Sequence, residues 1–544
     1  MSGLAPRRLI APLAILLMPI AGCGGESEQG FTLPLSGRQA NQRVETELPI
    51  EPASPATLED HVVSKARALA RAEYSPPDTI LPSPLAELDY EQSRSIRFRP
   101  EAALWRDTAQ FEVQLLHPGY LFRASVRIHV VEDELISEVP FNADLFQYDG
   151  PAAHLAGEIS PELGYTGFTI HYLLNDPNRK DEVVVFQGAS YFRLVGPDQV
   201  YGLSARGLAV NIARESGEEF PDFTEFWLVR PAPDDTALVF YALLDGPSVT
   251  GAYRFKLEAG THTALGVDAR LFARRDVGTL GVAPFTSMFL YDANLAYAFD
   301  DFRPEVHDSD GLMMLTRRGE WIWRPLGNER SLRVTSLRDR DPQGFGLVQR
   351  ERDFGSYLDI EAQYQRRPSA WVRIGEGDWG RGGVELLEIP TESEFNDNIA
   401  AYWVPDEPFL AGEERHYRYR LITFDERLEF QVLAHVERTR IGWDALPGQA
   451  DPPPRSRRRF VIDFEGGALD TVDASDPVEV FLEASAGEIS DLQTQSLPSG
   501  LGWRVAFRLD PEGNRPSDMR LYLELKGERL SETWSYVWYP ERVR

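Results

Sequence analysis

RASVRIHV, Arg123 to Val130, alternates apolar and polar side chains along its whole length. Ala124, Val126, Ile128 and Val130 take one side; Arg123, Ser125, Arg127 and His129 take the other. A period of two is that of a strand with one face buried. Phe111, Val113 and Leu115 repeat the pattern around Glu112 and Gln114. From about residue 81 such runs recur every ten to fifteen residues or so, separated by Gly, Pro, Asn and Asp turns. This predicts an all-β chain of antiparallel sheets packed face to face.

Away from this region the pattern changes twice. Upstream, Leu58, Val62, Ala66 and Leu69 share one helical face. Thr57 is the expected N-cap, with Asp60 three residues on, and Pro76-Pro77 is the expected stop. Downstream, WDALPGQADPPPRSRR, Trp443 to Arg458, is Pro-rich and ends in a small basic cluster. A domain boundary is expected there, with a large β-sandwich over 57–440, a linker over 441–458 and a small sandwich over 459–544. Within the last, Trp503, Val505, Phe507 and Leu509 alternate, as do Leu521, Leu523 and Leu525, which suits an immunoglobulin-like sandwich. At 544 residues the chain can bury a large core without covalent staples.

The N-terminus carries an address. Arg7 and Arg8 precede the apolar run LIAPLAILLMPI, Leu9 to Ile20, which is too short for a permanent membrane span. Ile20-Ala21-Gly22-Cys23 fits a bacterial lipobox, so residues 1–22 are the expected signal and Cys23 the expected lipidation site. An ordinary secretory signal with a chance cysteine is the plainer alternative, and the flanks of Arg7-Arg8 match a twin-arginine signal poorly. Gly24 stands where an inner-membrane retention signal would have Asp, which favours the outer membrane facing the periplasm. Residues 23–56 are polar and Pro-rich and read as a tether.

Cys23 is the only cysteine. A disulfide, a thiolate nucleophile and a Cys-ligated metal are therefore excluded from the mature chain. The formal charge is −29, and loss of the two signal arginines makes it −31. This disfavours nucleic acid and anionic lipid as partners and permits neutral sugars.

Several motifs fail on inspection. GEGDWG, Gly375 to Gly380, satisfies G-x-G-x-x-G, but Glu376 and Asp378 would repel phosphate and VELLEI after it is strand-like. A hairpin turn is expected instead. Ser204 in GLSARG lacks the glycine spacing of a nucleophile elbow. The histidines show no metal-ligand spacing. Asp308 and Asp310 before Gly311 lack the remaining ligands of a calcium loop. No metal and no cofactor is expected.

Two acidic segments stand out, DFRPEVHDSDGL (Asp301 to Leu312) and ESEFNDNIAAYW (Glu392 to Trp403). Cleaving a glycosidic bond takes one carboxylic acid to protonate the leaving oxygen and one carboxylate to activate water or attack. Asp301, Glu305, Asp308, Asp310, Glu392, Glu394 and Asp397 are candidates, and spacing does not choose among them. The plainer alternative has Asp308 and Asp310 capping a turn and Asp397 paired with Arg303 or Arg324. Trp321 and Trp323 share a strand face, and Trp371, Trp379 and Trp403 lie near the acidic segments in sequence. Each is either a sugar platform or core.

The chain resembles the periplasmic glucan biosynthesis proteins of G and D type from Gram-negative bacteria. The resemblance rests on GASYFRLVGPDQVYGLSARGLAVN (Gly188 to Asn211), GEEFPDFTEFW (Gly217 to Trp227), YALLDGPSVTGAYRF (Tyr241 to Phe255), APFTSMFL, DFRPEVHDSDGL, GEWIWRPL, GFGLVQR, RRPSAWV and NDNIAAYW. It covers the chain from residue 57 onward. It implies a large mutarotase-like supersandwich joined to an immunoglobulin-like domain. The implied function is osmoregulated periplasmic glucan biosynthesis, as an inverting endo-β-1,2-glucanase. In that family the acid is the Asp of E-x-N-D, here Asp397, with Glu394 as a neighbour that tunes it. The base lies in H-D-S-D-G and is Asp308, or alternatively Asp310. Tyr364 would line the cleft, and Trp321, Trp323, Trp379, Trp403 and Arg303 are the other expected substrate contacts. The alternatives are a non-catalytic glucan-binding partner of a membrane glucosyltransferase, and a transglycosylase or branching factor. Two features depart from the family: the lipobox, and the Trp443 to Arg458 stretch. The latter is either a linker or a loop that brings Trp443 over the cleft.

Overall fold

The computed structural model of the chain describes residues 51–540, apart from 53, 54, 78, 80, 376–378, 426, 499 and 501. The export segment, Cys23 and the tether as far as residue 50 lie outside the described residues. Strands dominate the rest. Among the described residues they form one sheet of sixteen strands, one of ten, one of four and two of two. Strand pairs are antiparallel except Arg127–Glu132 beside Asp222–Val229 and Trp321–Pro325 beside Thr533–Trp538.

The two largest sheets face each other across one apolar core. Phe240 and Phe255 of the sixteen-stranded sheet meet Phe186 of the ten-stranded sheet with ring centroids 5.4 and 5.3 Å apart. Alternation is what makes this possible, since each strand sends every second side chain into the shared layer. In RASVRIHV only the second half is regular strand. Arg127–Glu132 pairs with Asp222–Val229, while Val126 makes a single bridge to Tyr165. Ile128 enters the core; His129 points the other way and stacks on Trp227 at 5.3 Å.

That outer side of the large sheet is covered by the helix Pro55–Leu69. Leu58, Val62 and Ala66 pack on Trp227, Tyr241, Leu243 and Phe272, as the helical face predicts. The helix starts two residues before Thr57, so Thr57 lies inside it rather than capping it, and it ends well short of Pro76-Pro77. The expected tether also ends sooner, because Glu51–Pro52 already pairs with Leu135 and Ile136.

The C-terminal region is tied to the large sheet rather than strung after it. Trp321–Pro325 continues into Thr533–Trp538, Ser517–Leu525 and Glu479–Ala484. A four-stranded sheet packs on these strands, sharing a core of Phe460, Val505, Phe507, Leu521 and Trp534 with Met313, Trp321 and Trp323. The Trp443 to Arg458 stretch is the connection of a hairpin in that four-stranded sheet, with Trp443 opposite Arg458. It is not a linker between domains, because both flanking strands belong to the same sheet. The strands flanking GEGDWG do not pair with each other as the expected hairpin would have them: Ser369–Ile374 belongs to the sixteen-stranded sheet and Arg381–Glu388 to the ten-stranded one.

Candidate active site

The ten-stranded sheet turns an apolar face inward and a polar face outward. In Tyr191–Leu194, Phe192 and Leu194 enter the core while Tyr191 and Arg193 face out. Register places Arg206 opposite Tyr191, Ser204 opposite Thr286, and Thr286 opposite Ala400. Cross-strand partners share a face, so these side chains form one polar surface. Arg193 Nε donates to Ser204 Oγ at 2.8 Å, and the Arg206 guanidinium lies 4.9 Å from the Tyr191 ring centroid. Leu280–Ser287 carries a bulge between Val282 and Phe285, with Ala283 at φ +49°. A bulge re-aims the residues that follow it, here Thr286 and Ser287.

Two acidic segments far apart in sequence are registered on the short stretch after this strand. The Asp308 backbone N–H donates to Met288 O at 2.8 Å, and Ser287 Oγ donates to Ser309 Oγ at 2.9 Å. On the other side Asn398 grips Phe289 from both directions, accepting from its N–H at 2.8 Å and donating to its carbonyl at 3.0 Å. The same amide also donates to Ile389 O at 3.0 Å. Asp397 precedes this clamp by one residue. Met288 and Phe289 thus index Asp308 and Asp397 to each other.

Both carboxyls are buried, and their surroundings differ. Burial raises Asp397 to about 6; the Asp308 charge adds to the rise, while Arg193 and Arg367 oppose it. Burial raises Asp308 as well, but Arg367 donates directly to its Oδ1 and favours the charged form. Asp397 Oδ2 and Asp308 Oδ2 are buried without a hydrogen-bond partner among the described residues. A carboxylate bonded to a guanidinium beside one that is not separates their proton affinities, leaving Asp397 the better proton holder.

Behind Asp308 stands a buried histidine. His307 Nε2 donates to Glu305 at 2.9 Å and Nδ1 to Gln349 Oε1 at 2.8 Å. Burial pulls its pKa down, but the bond to and charge of Glu305 outweigh this and leave it at about 8. With both nitrogens donating, the ring is an imidazolium, and its charge also favours an ionised Asp308. Gln349 Nε2 in turn donates to the Tyr357 hydroxyl at 2.7 Å.

Tyr364 and Glu394 meet next to Arg367. Tyr364 is buried, with the Arg367 guanidinium 4.1 Å from its ring centroid. Its hydroxyl donates to Glu394 Oε2 at 2.5 Å. Glu394 also receives Arg303 Nη1 at 2.8 Å. Its charge is therefore engaged, and the carboxylate that raises Asp397 is that of Asp308. Arg303 further binds Asp359 at 2.9 Å and grips Asp301 at 2.7 and 3.0 Å, holding Asp301 down at about 2. Arg303 therefore pairs with these three carboxylates and not with Asp397.

The other expected residues make contacts of their own. Asp310 Oδ2 accepts the backbone N–H groups of Arg350 and Glu351 at 2.9 and 3.1 Å. This shapes the turn from which Arg350 reaches Glu532 at 2.6 and 2.9 Å and stacks 3.5 Å over Trp323. Trp321 and Trp323 are buried in the core shared with the C-terminal strands, and Gly311 is glycine because a Cβ there would meet the Trp323 ring at 2.0 Å. Trp379 and Trp403 are buried between the two large sheets, 6.2 Å apart. Strand alternation explains this: Trp403 follows Ala401 and Ile399 on the inward face. Trp443 donates to Pro453 O at 3.1 Å within its own hairpin loop.

Sequence reasoning did not single out Arg193, Arg367, His307 or Asn398. Arg367 sits in RRPSAWV, and two arginines before a proline carry no local mark of a buried ion pair. Among the described residues no group of three or more His, Cys, Asp or Glu side chains is placed to hold a metal ion. No helix among them is long and apolar enough to cross a membrane.

Residues 58–538 match the family model described as "Periplasmic glucan biosynthesis protein, MdoG". A glucans biosynthesis protein G of Ralstonia nicotianae is 46% identical over 484 residues, covering 88% of this chain and 95% of the relative. Those of Shewanella putrefaciens and Shewanella frigidimarina are each 44% identical, over 490 and 484 residues. Each alignment covers 88% of this chain, with 86% and 84% of the respective relatives.

Proposed function

Since the chain belongs to the periplasmic glucan biosynthesis protein family, we propose that it acts in osmoregulated periplasmic glucan biosynthesis as an inverting endo-β-1,2-glucanase. Asp397, neutral at acidic pH, gives its proton to the glycosidic oxygen as the C1–O bond breaks. Asp308, whose charged form Arg367 favours against the pull of burial, takes a proton from the water whose oxygen forms the new bond to C1 from the opposite face. The acid is recharged from solvent. Inversion leaves room for that water, which in the usual case sets the carboxyls about 6.5–9.5 Å apart. One observation carries this reading: two buried carboxyls indexed to the same stretch, one ion-paired with Arg367 and the other raised to about 6.

The neutralisation of Asp308 by Arg367 also favours a second reading. A carboxylate already bonded to a guanidinium is a weaker base, and as a sugar ligand it needs no basicity. Under that reading the chain is a glucan-binding partner of a membrane glucosyltransferase. A transglycosylase would use the same pair and give larger products. The lipid anchor on Cys23, a place at the periplasmic side of the outer membrane, the mutarotase-like supersandwich and the immunoglobulin-like C-terminal unit complete the proposal.

Linear β-1,2-glucan incubated with the purified chain tests it, with products sized and their anomer followed by NMR. Short products of inverted anomer, lost in Asp397→Asn and in Asp308→Asn, support the hydrolase. Glucan that stays intact but co-elutes with the chain supports the binding partner.

A further inference from the structure

We propose that Phe302 and Phe395 form an aromatic platform at the rim of the candidate site, on which a glucose unit of the bound glucan stacks. This rests on the reading of the site as a glucan site. The expected tryptophan platforms are all buried, so aromatic surface beside the carboxyls has to come from elsewhere.

Three loops meet on one guanidinium. Arg303 holds Asp301 from its own loop, Asp359 from a second and Glu394 from a third, at 2.7, 2.9 and 2.8 Å. The neighbour of each carboxylate is a large apolar side chain left in water. Phe302 is 75% exposed, Ile360 76% and Phe395 65%. Leaving a phenylalanine in water forgoes the gain of burying its ring. Here two of them are held out by a network whose arginine is itself only 12% exposed. Three large apolar side chains left in water, each next in sequence to a carboxylate of one ion-pair network, mark this rim as a binding surface.

The chemistry around the patch selects its occupant. Three carboxylates against one guanidinium leave it negative, which repels phosphate-bearing partners. A pyranose is neutral: its C–H face suits a phenyl ring, and its hydroxyls can donate to Asp301 and Asp359. The loops that carry these side chains are also tied to the proposed chemistry. Phe395 lies two residues before Asp397, and Glu394 beside it receives the Tyr364 hydroxyl at 2.5 Å.

The test uses the full chain with Phe302→Ala, Phe395→Ala and the double variant. Affinity for linear β-1,2-glucan is read by titration calorimetry in an Asp397→Asn background, and turnover in the active chain. Each alanine is expected to weaken binding roughly 3- to 10-fold, with the turnover loss carried by KM. Phe302→Trp and Phe395→Trp are expected to retain affinity. Unchanged affinity in the double variant overturns the platform. If the chain binds glucan without cleaving it, the hydrolytic reading fails, and the affinity comparison still decides the platform. If it binds no glucan, both fail. A parent chain that self-associates, with a monomeric double variant of unchanged glucan affinity, would assign the surface to contact between copies and overturn the proposal.

Discussion

Under the proposed mechanism Asp397 links acid catalysis to folding. Its carboxyl titrates at about 6 in the fold against an ordinary 3.8. A raised value means the fold favours the protonated form. That contribution is complete below pH 3.8 or so and is lost as pH rises through about 6, a cost approaching 3 kcal/mol. Asp397→Asn should therefore abolish cleavage yet stabilise the chain, by more at pH 7.5 than at pH 4.5, as read by urea unfolding at both. Equal effects at the two pH values would mean that the carboxyl is not held against its charge. Catalysis should follow the same group, with kcat/KM falling about tenfold per pH unit above a break near 6. Arg367 tests the other half of the pair. Arg367→Ala leaves Asp308 buried and uncompensated, so stability should drop by about 3–5 kcal/mol at neutral pH, with much of the loss recovered in Arg367→Ala/Asp308→Asn. These roles were only partly legible in the chain. The acidic segments announce themselves, but Arg367 enters the site through a loop 59 residues from Asp308.

Strands and loops matter here as carriers of register. Met288 and Phe289 hold Asp308 through a backbone bond and Asn398 through its amide, so one short stretch aligns both acids. Asn398→Ala removes three amide hydrogen bonds, two of them to buried Phe289, and should cost about 2–3 kcal/mol while lowering kcat more than it raises KM. Circular dichroism and kinetics on one preparation separate the two effects. Asp310 shows the opposite case. It is the alternative base in sequence, and in the fold its Oδ2 fixes the turn at Arg350 while its Oδ1 is buried without a hydrogen-bond partner among the described residues. The buried Arg350–Glu532 pair that results also satisfies the Val436 backbone N–H at 2.7 Å. Glu532→Ala strands the guanidinium and should cost about 3–5 kcal/mol without a direct effect on the carboxyl pair.

Taken whole, the C-terminal strands complete the large sheet. Trp321–Pro325 pairs in parallel with Thr533–Trp538, and Met313, Trp321, Trp323 and Trp371 share one core with the four-stranded sheet. A chain truncated before residue 427 would expose that edge and those indoles, and should aggregate rather than fold as an independent unit. Light scattering and a single cooperative melt of the full chain check this; two well-separated transitions would contradict it. The all-β class, the helix over the large sheet and the acidic segments follow from the sequence alone. Alternation and helical spacing report on burial within a few residues of chain, and that is what they depend on. Tertiary structure alone decided which carboxyl keeps a proton, which arginines neutralise the rest, and that the tryptophans are core while Phe302 and Phe395 face water. These depend on which side chains meet across sheets and loops, and no local period encodes that. The Pro-rich Trp443 to Arg458 stretch left linker and loop open for the same reason, since a proline run looks alike between domains and at the tip of a hairpin.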